Sequence, residues 1–276
     1  MAVDFLEIAA LTDVGNVRQY NEDSIAVDTV HGIVALADGM GGHRAGEVAS
    51  RMATDALVTG LTAAAARFGA DPRQHAPLLA LGQSINRANR AIHEAGRLDV
   101  RYRGMGTTMA AAVFHDNRIA MAHVGDSRIY RVRDERISLL TRDDSLLRDQ
   151  VELGVISAAE ASQSHNRSLV TRALGIEARV TAHITDEPAV PGDVYLLCSD
   201  GLNDLVEDAD IELIIASLSG NLPLAASHLV QTAKDNGGYD NVSVILAKVR
   251  EPFPASGRGW IARIRAWFAR LFGAGR

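Results

Sequence analysis

Apolar and polar positions alternate at the start of the chain. Leu6, Ile8 and Ala10 fall on one face, which predicts a strand over residues 3–11. The segment 12–24, TDVGNVRQYNEDS, is polar and turn-rich, and two short strands follow at about 24–30 and 32–37, joined near His31-Gly32. From Ala45 to about Phe68 the period changes: Val48, Met52, Leu57 and Leu61 recur at helical spacing. A second helix is expected from Pro77, a residue suited to a first turn, and Leu78, Leu81, Ile85, Ala88, Ile92 and Ala95 carry it to a stop at Gly96. Strand signals return at 106–115, 117–124 and 128–133. A polar stretch with short helical pieces covers 141–178, strands resume at 179–185 and 193–198, two helices occupy about 207–236, and a last strand runs over 241–249. Strands come in runs and helices in pairs. That order predicts antiparallel sheets with helices layered outside them, not a doubly wound parallel sheet.

At 276 residues and 47% hydrophobic, the chain is long enough for one large domain with a sizeable core. A single cysteine, Cys198, excludes an intrachain disulfide and points to a reducing compartment. The start, MAVDFLEIAA, has no basic segment ahead of a long apolar run, and no stretch is apolar enough to cross a membrane, so a cytoplasmic location is expected. The net charge of −6 argues against a nucleic-acid-binding surface. It is unevenly placed: residues 252–276 hold five arginines and no acid, which leaves −11 on residues 1–251. Residues 251–258, EPFPASGR, read as a linker between a domain at 1–250 and a helix at 259–273. In that helix Trp260, Ile261, Ile264, Trp267, Phe268, Leu271 and Phe272 share a side that Arg263 and Arg270 avoid. The pattern suits the inner membrane face, a partner's groove or the chain's own domain, and the sequence leaves the three open.

Candidate chemistry sits at strand ends. Asp38 follows IVALA, Asp126 follows IAMAHVG, Asp200 follows VYLLCS, and Asp240 precedes NVSVIL. One Asp-Gly pair between apolar runs reads first as a hairpin turn. As a set, carboxylates emerging from buried strands would repel one another strongly unless a cation lay between them. Oxygen donors without cysteine or clustered histidine select magnesium, manganese or calcium over zinc. The glycine loop after Asp38 is no P-loop, because Glu47 follows Gly46 where Lys is required. Cys198 lacks an arginine six positions on, where Asp204 stands, so it reads as a buried structural thiol. His123 lies on the strand face of Ile119 and Met121 and reads as a core histidine, whereas His43 either orients the glycine loop or is simply exposed.

Taken in order, six motifs resemble the metal-dependent serine/threonine phosphatases of the protein phosphatase 2C family, in its bacterial form. They are Asp13-x-Gly15-x-x-Arg18-x-x-Asn21-Glu22-Asp23; Asp38-Gly39-Met40-Gly41-Gly42-His43-x-x-Gly46-Glu47; Gly104-Met105-Gly106-Thr107-Thr108; Gly125-Asp126-Ser127-Arg128; Cys198-Ser199-Asp200-Gly201-Leu202; and Gly237-Gly238-x-Asp240-Asn241. The resemblance implies an α+β fold, a four-layer α/β/β/α sandwich of two packed antiparallel sheets flanked by helix pairs. It implies a first Mn2+ or Mg2+ held by Asp38, Asp200 and Asp240. A second is implied at Asp38 and the Gly39 carbonyl, with Glu22 acting through water, and a weaker third at Asp126 and Asp200. Arg18 would grip the substrate phosphate; without the resemblance it reads as a surface ion pair with Glu22 or Asp23. Asp23 itself reads as a carboxylate that holds the 12–24 turn or supports the metal ligands from behind.

The implied activity is hydrolysis of phosphoserine and phosphothreonine in proteins by a water activated between two divalent cations, opposing a serine/threonine kinase. The alternative is a catalytically silent phosphoprotein-binding regulator. Two departures stand out. Met40 takes the place of the histidine proposed as a proton donor in animal members. Thr141-Arg142-Asp143-Asp144-Ser145 replaces the bacterial Thr-x-Asp-His-Ser, which puts substrate recognition by the following segment, 142–178, in question.

Overall fold

The computed structural model describes residues 5–41, 45–65, 68, 75–157, 160 and 169–252. Among the described residues, eleven strands form two antiparallel sheets. One has the order β1 (Leu6–Asp13), β11 (Val242–Val249), β10 (Val194–Cys198), β7 (Arg128–Arg133) and β8 (Arg136–Leu139). The other runs β2 (Asp23–Asp28), β3 (Ile33–Met40), β5 (Met109–His115), β6 (Arg118–Val124) and β9 (His183–Pro188), with the two-residue β4 (Gly106–Thr107) paired to the end of β3. Helices α1 (Ala45–Ala65) and α2 (Ala76–Leu98) cover the second sheet. Helices α4 (Asp200–Asn203), α5 (Asp208–Ser217) and α6 (Leu222–Asp235) cover the first, and α3 (Leu146–Glu152) lies in the segment between β8 and β9.

The period of two explains the layering. In β3, Ile33, Ala35 and Ala37 face α1 and α2, while Val34 and Leu36 face the other sheet. In β11, Val242, Val244 and Leu246 face the α4–α6 side, while Ile245, Ala247 and Val249 turn inward. Each strand is therefore apolar on both faces, as a sheet buried on both sides requires. Leu57, Leu61, Leu81, Ile85 and Ile92 are fully buried between the helix pair and the sheet. Each such side chain contributes about 1.5–3 kcal/mol on burial, so packing and not propensity sets the helix register.

The four-layer sandwich is as expected, with shifts at the ends of elements. The α2 helix continues past Gly96 to Leu98, where the backbone of Asp99 closes onto the Ala95 carbonyl. The strand expected at 179–185 begins only at His183 and runs to Pro188, since its pairing with β6 sets its limits. The strand expected at 106–115 breaks at Thr108, whose hydroxyl and amide are both committed to Asp38. Short β8 and α4 were not anticipated. The linker and helix expected at 251–258 and 259–273 lie outside the described residues except for Glu251 and Pro252, and His43 lies outside them too.

Candidate metal centre

The acidic residues lie close enough that Asp23, Asp126, Asp200 and Asp240 all act on the charge of Asp38. Asp38 is not in a hairpin turn: β3 continues through it to Met40, and it pairs across the ladder with Asp23. Its amide donates to Thr108 Oγ1 at 2.9 Å. Its carbonyl accepts from the Thr108 amide at 2.8 Å and the Thr107 hydroxyl at 2.7 Å. The backbone at Asp38 is thereby pinned while its carboxylate stays available. Asp200 opens α4, so its carboxylate sits at a helix start directly after the buried strand β10. Asp126 lies in the tight β6–β7 connection and is buried.

The glycines beside these aspartates allow the elements to touch. A Cβ at Gly39 would lie 2.2 Å from the Gly46 carbonyl oxygen, and one at Gly201 would lie 2.0 Å from that of Asn241. No side chain fits at either place. Asn241 ties three segments together: its Oδ1 accepts from the Glu22 amide at 2.8 Å, and its Nδ2 donates to the carbonyls of Val14 and Tyr20, each at 3.0 Å. Glu22 is held through its backbone as well, since its carbonyl accepts from the Gly39 amide at 3.1 Å and the Ser50 hydroxyl at 2.6 Å.

Burial pushes the Asp38 carboxyl well above its ordinary 3.8, and the charges of Asp23, Asp200, Asp126 and Asp240 push it further. Asp200 is raised well above 3.8 in the same way, by burial and then by Asp126 and Asp240. Asp126 rises to about 7, again through burial first and then through Asp143. One oxygen of Asp200, Oδ1, is buried with no hydrogen-bond partner, and so is Oδ1 of Asp23. An acidic cluster with orphaned buried oxygens is stable in its charged form only beside a cation. The donors are oxygens throughout, which fits Mg2+ or Mn2+.

Two placements differ from the sequence reading. Arg18 pairs with neither Glu22 nor Asp23: its Nη2 lies 2.6 Å from Asp240 Oδ2. That bond raises the Arg18 pKa against the pull of burial. Of the two readings of Asp23, the turn is the one its placement opposite Asp38 does not fit. Asp23 is buried between the sheets and its Oδ2 accepts from the Ser199 hydroxyl at 2.8 Å. Burial, eased by bonds from Ser243 and Ser199, leaves its pKa at about 6. Cys198 is fully buried and its thiol is pushed up to about 12 by burial, in keeping with a structural role.

Several positioning residues went unassigned in the sequence: Thr107, Thr108, Ser199 and Asn241 all lie inside the quoted motifs but had no stated task. A second constellation was not read as a site in the sequence, although His123 and Asp144 were each noted there. Among the described residues, one group of three side chains has its possible ligand atoms all within 4.8 Å of one another, and it is not the acidic set. It is His123, Asp144 and His183.

Residues 16–229 match the sequence profile of the family described as Protein phosphatase 2C. The chain is 40% identical over 246 residues to the serine/threonine protein phosphatase PstP of Mycobacterium tuberculosis, a match that covers 88% of this chain and 45% of PstP. It therefore spans about half the length of that relative. It is 35% identical to the serine/threonine phosphatase stp of Listeria innocua, covering 86% of this chain and 93% of stp. A crystal structure of the PstP catalytic domain in complex with two manganese ions superposes with a TM-score of 0.78 at 37% identity, covering 90% of this chain and 99% of that one. By its sequence profile, the coverage of these relatives and its two-sheet fold, the chain belongs to the protein phosphatase 2C family.

Proposed function

We propose that this protein removes phosphate from phosphoserine and phosphothreonine in protein substrates, using divalent manganese or magnesium and opposing a serine/threonine kinase. The observation that carries the reading is the buried acidic set itself: Asp38 and Asp200 are raised far above 3.8, and Asp200 Oδ1 has no hydrogen-bond partner. Asp38, Asp200 and Asp240 would hold the first cation, and Asp38 and the Gly39 carbonyl the second, with Glu22 acting through water. Asp126 and Asp200 offer a weaker third position. Bound divalent cations acidify a coordinated water and offset charge on the phosphoryl oxygens.

The chain's own residues supply the rest. Arg18 is half-exposed, and its fork matches two oxygens of a phosphate monoester. A phosphate bound there would take over part of the bond that Arg18 makes with Asp240. Thr107, Thr108 and Asn241 keep the backbone of Asp38 and Glu22 from moving as charge changes, so little reorganisation accompanies reaction. Met40 carries no titratable proton, so the leaving oxygen takes its proton from water. The catalytic unit is residues 1–250. The basic tail at 259–273 recruits it to an anionic membrane face or a protein partner through Trp260, Ile264, Trp267, Phe268 and Leu271.

The test is hydrolysis of p-nitrophenyl phosphate with and without Mn2+. Turnover is expected only with the cation, and Asp38→Ala is expected to lose most of it. Full activity in excess chelator, or in that variant, would sink the proposal.

A further inference from the structure

The β6–β9 register places His123 directly opposite His183. Their rings stack with centroids 4.9 Å apart and planes 18° from parallel. Asp144 closes the group from the segment after β8. Its side chain is buried and held on every side. Its amide donates to the Gly125 carbonyl at 2.9 Å, its carbonyl accepts from the Thr171 amide at 2.8 Å, and its Oδ2 accepts from the Gly125 amide at 3.1 Å. That leaves Oδ1, which lies 3.2 Å from His183 Nε2. Asp144 is the residue that departs from the bacterial Thr-x-Asp-His-Ser pattern, so the carboxylate is a feature of this chain.

We infer that His123, Asp144 and His183 form a second cation site, suited to zinc or a similar transition metal and separate from the acidic centre. Two imidazoles and one carboxylate are a nitrogen-rich donor set, which zinc and cobalt prefer and magnesium does not. The outer contacts are those of a prepared ligand set. His123 Nε2 lies 2.7 Å from the Arg142 carbonyl, which can only accept, so Nε2 carries the hydrogen and Nδ1 keeps the lone pair.

Arg172 shows that the site already holds a positive charge. Its Nη1 lies 2.7 Å from Asp144 Oδ1 and 2.8 Å from His183 Nε2. A guanidinium has no acceptor, so His183 Nε2 presents its lone pair there, beside the carboxylate oxygen. The same two atoms can take a metal once Arg172 withdraws. The Arg172 side chain is 40% exposed, so it can turn out into water, and the incoming ion keeps the buried Asp144 charge compensated. Arg172 and the metal thus compete for one place. A merely structural ion pair would lose order without Arg172; a competed metal site would gain affinity.

The full chain is titrated with cobalt(II), a spectroscopic stand-in for zinc, in excess magnesium that occupies the all-oxygen centre. The readout is the visible absorption of four- or five-coordinate cobalt, which a six-coordinate oxygen site gives only faintly. The wild type is expected to develop one equivalent of the strong spectrum, displaced by zinc. His183→Ala should weaken binding by about 100-fold, and Arg172→Ala should tighten it by about tenfold. Near-ultraviolet circular dichroism checks that each variant is folded, and His183→Gln or Arg172→Gln replaces one that is not. Only the faint spectrum in the wild type, an unchanged spectrum in the His183 variant, or no gain in the Arg172 variant would each overturn the site. None of these readings depends on phosphatase turnover.

Discussion

The Asp126→Asn variant isolates the electrostatic cost of the acidic centre. In chelator, Asp126 ionises at about 7 in the folded protein and at about 3.8 in the unfolded chain. Between those values the folded state carries a proton that the unfolded state has lost. Stability therefore falls as pH rises through this window, by about 1.4 kcal/mol for each pH unit. From pH 5 to pH 7 the Asp126 contribution to that fall is about 3 kcal/mol, and above pH 7 it is constant. Buried neutral histidines such as His115 and His123 titrate in the opposite sense over part of the same range, but they are present in both proteins and cancel in the comparison. Thermal unfolding in chelator should therefore already favour the variant at pH 5, because the fall begins near pH 3.8, and the gap should widen by about 3 kcal/mol, or roughly 10 °C for a chain of this size, between pH 5 and pH 8. Saturating Mn2+ should close or reverse the gap, because the cation relieves the same repulsion. A gap that does not change with pH, or a variant less stable than wild type at pH 8 in chelator, would refute the argument that burial and like charge dominate at Asp126.

Three other outcomes follow from the geometry. Gly201→Ala would put a methyl 2.0 Å from the Asn241 carbonyl oxygen, against backbone that cannot give way, and should cost ~3 kcal/mol or more in chemical denaturation. Arg18→Ala should lower kcat/KM for a phosphopeptide roughly 100-fold, with Arg18→Lys recovering only part, since an ammonium lacks the paired donors; equal rates in Ala and Lys variants would exclude a bidentate role. Truncation after Glu251 should abolish co-sedimentation with anionic lipid vesicles, and equal sedimentation of both forms would remove the membrane reading of the tail.

The order of the elements was legible because most strands alternate and the long helices repeat at three and four, as β3 and α2 illustrate. The acidic residues were legible for another reason: each stands where an apolar strand meets glycine. Their scaffold was less so. Thr108 and Asn241 act through contacts 70 and 219 residues away in sequence, and no local pattern marks such a partner. The ends of β9 were misplaced because its neighbour β6 decides them.

Local chemistry along the chain was enough to predict antiparallel sheets with helices outside them, since periodicity and residue type act over a few positions, and six motifs in order carried the resemblance to the family, its two packed sheets and its candidate aspartates. Only the folded molecule decided that Arg18 meets Asp240, that Asp23 points to Ser199, and that two histidines 60 positions apart stack beside Asp144. Those pairings depend on strand register and sheet packing, which are set by the whole core at once and leave no trace in any short stretch of sequence.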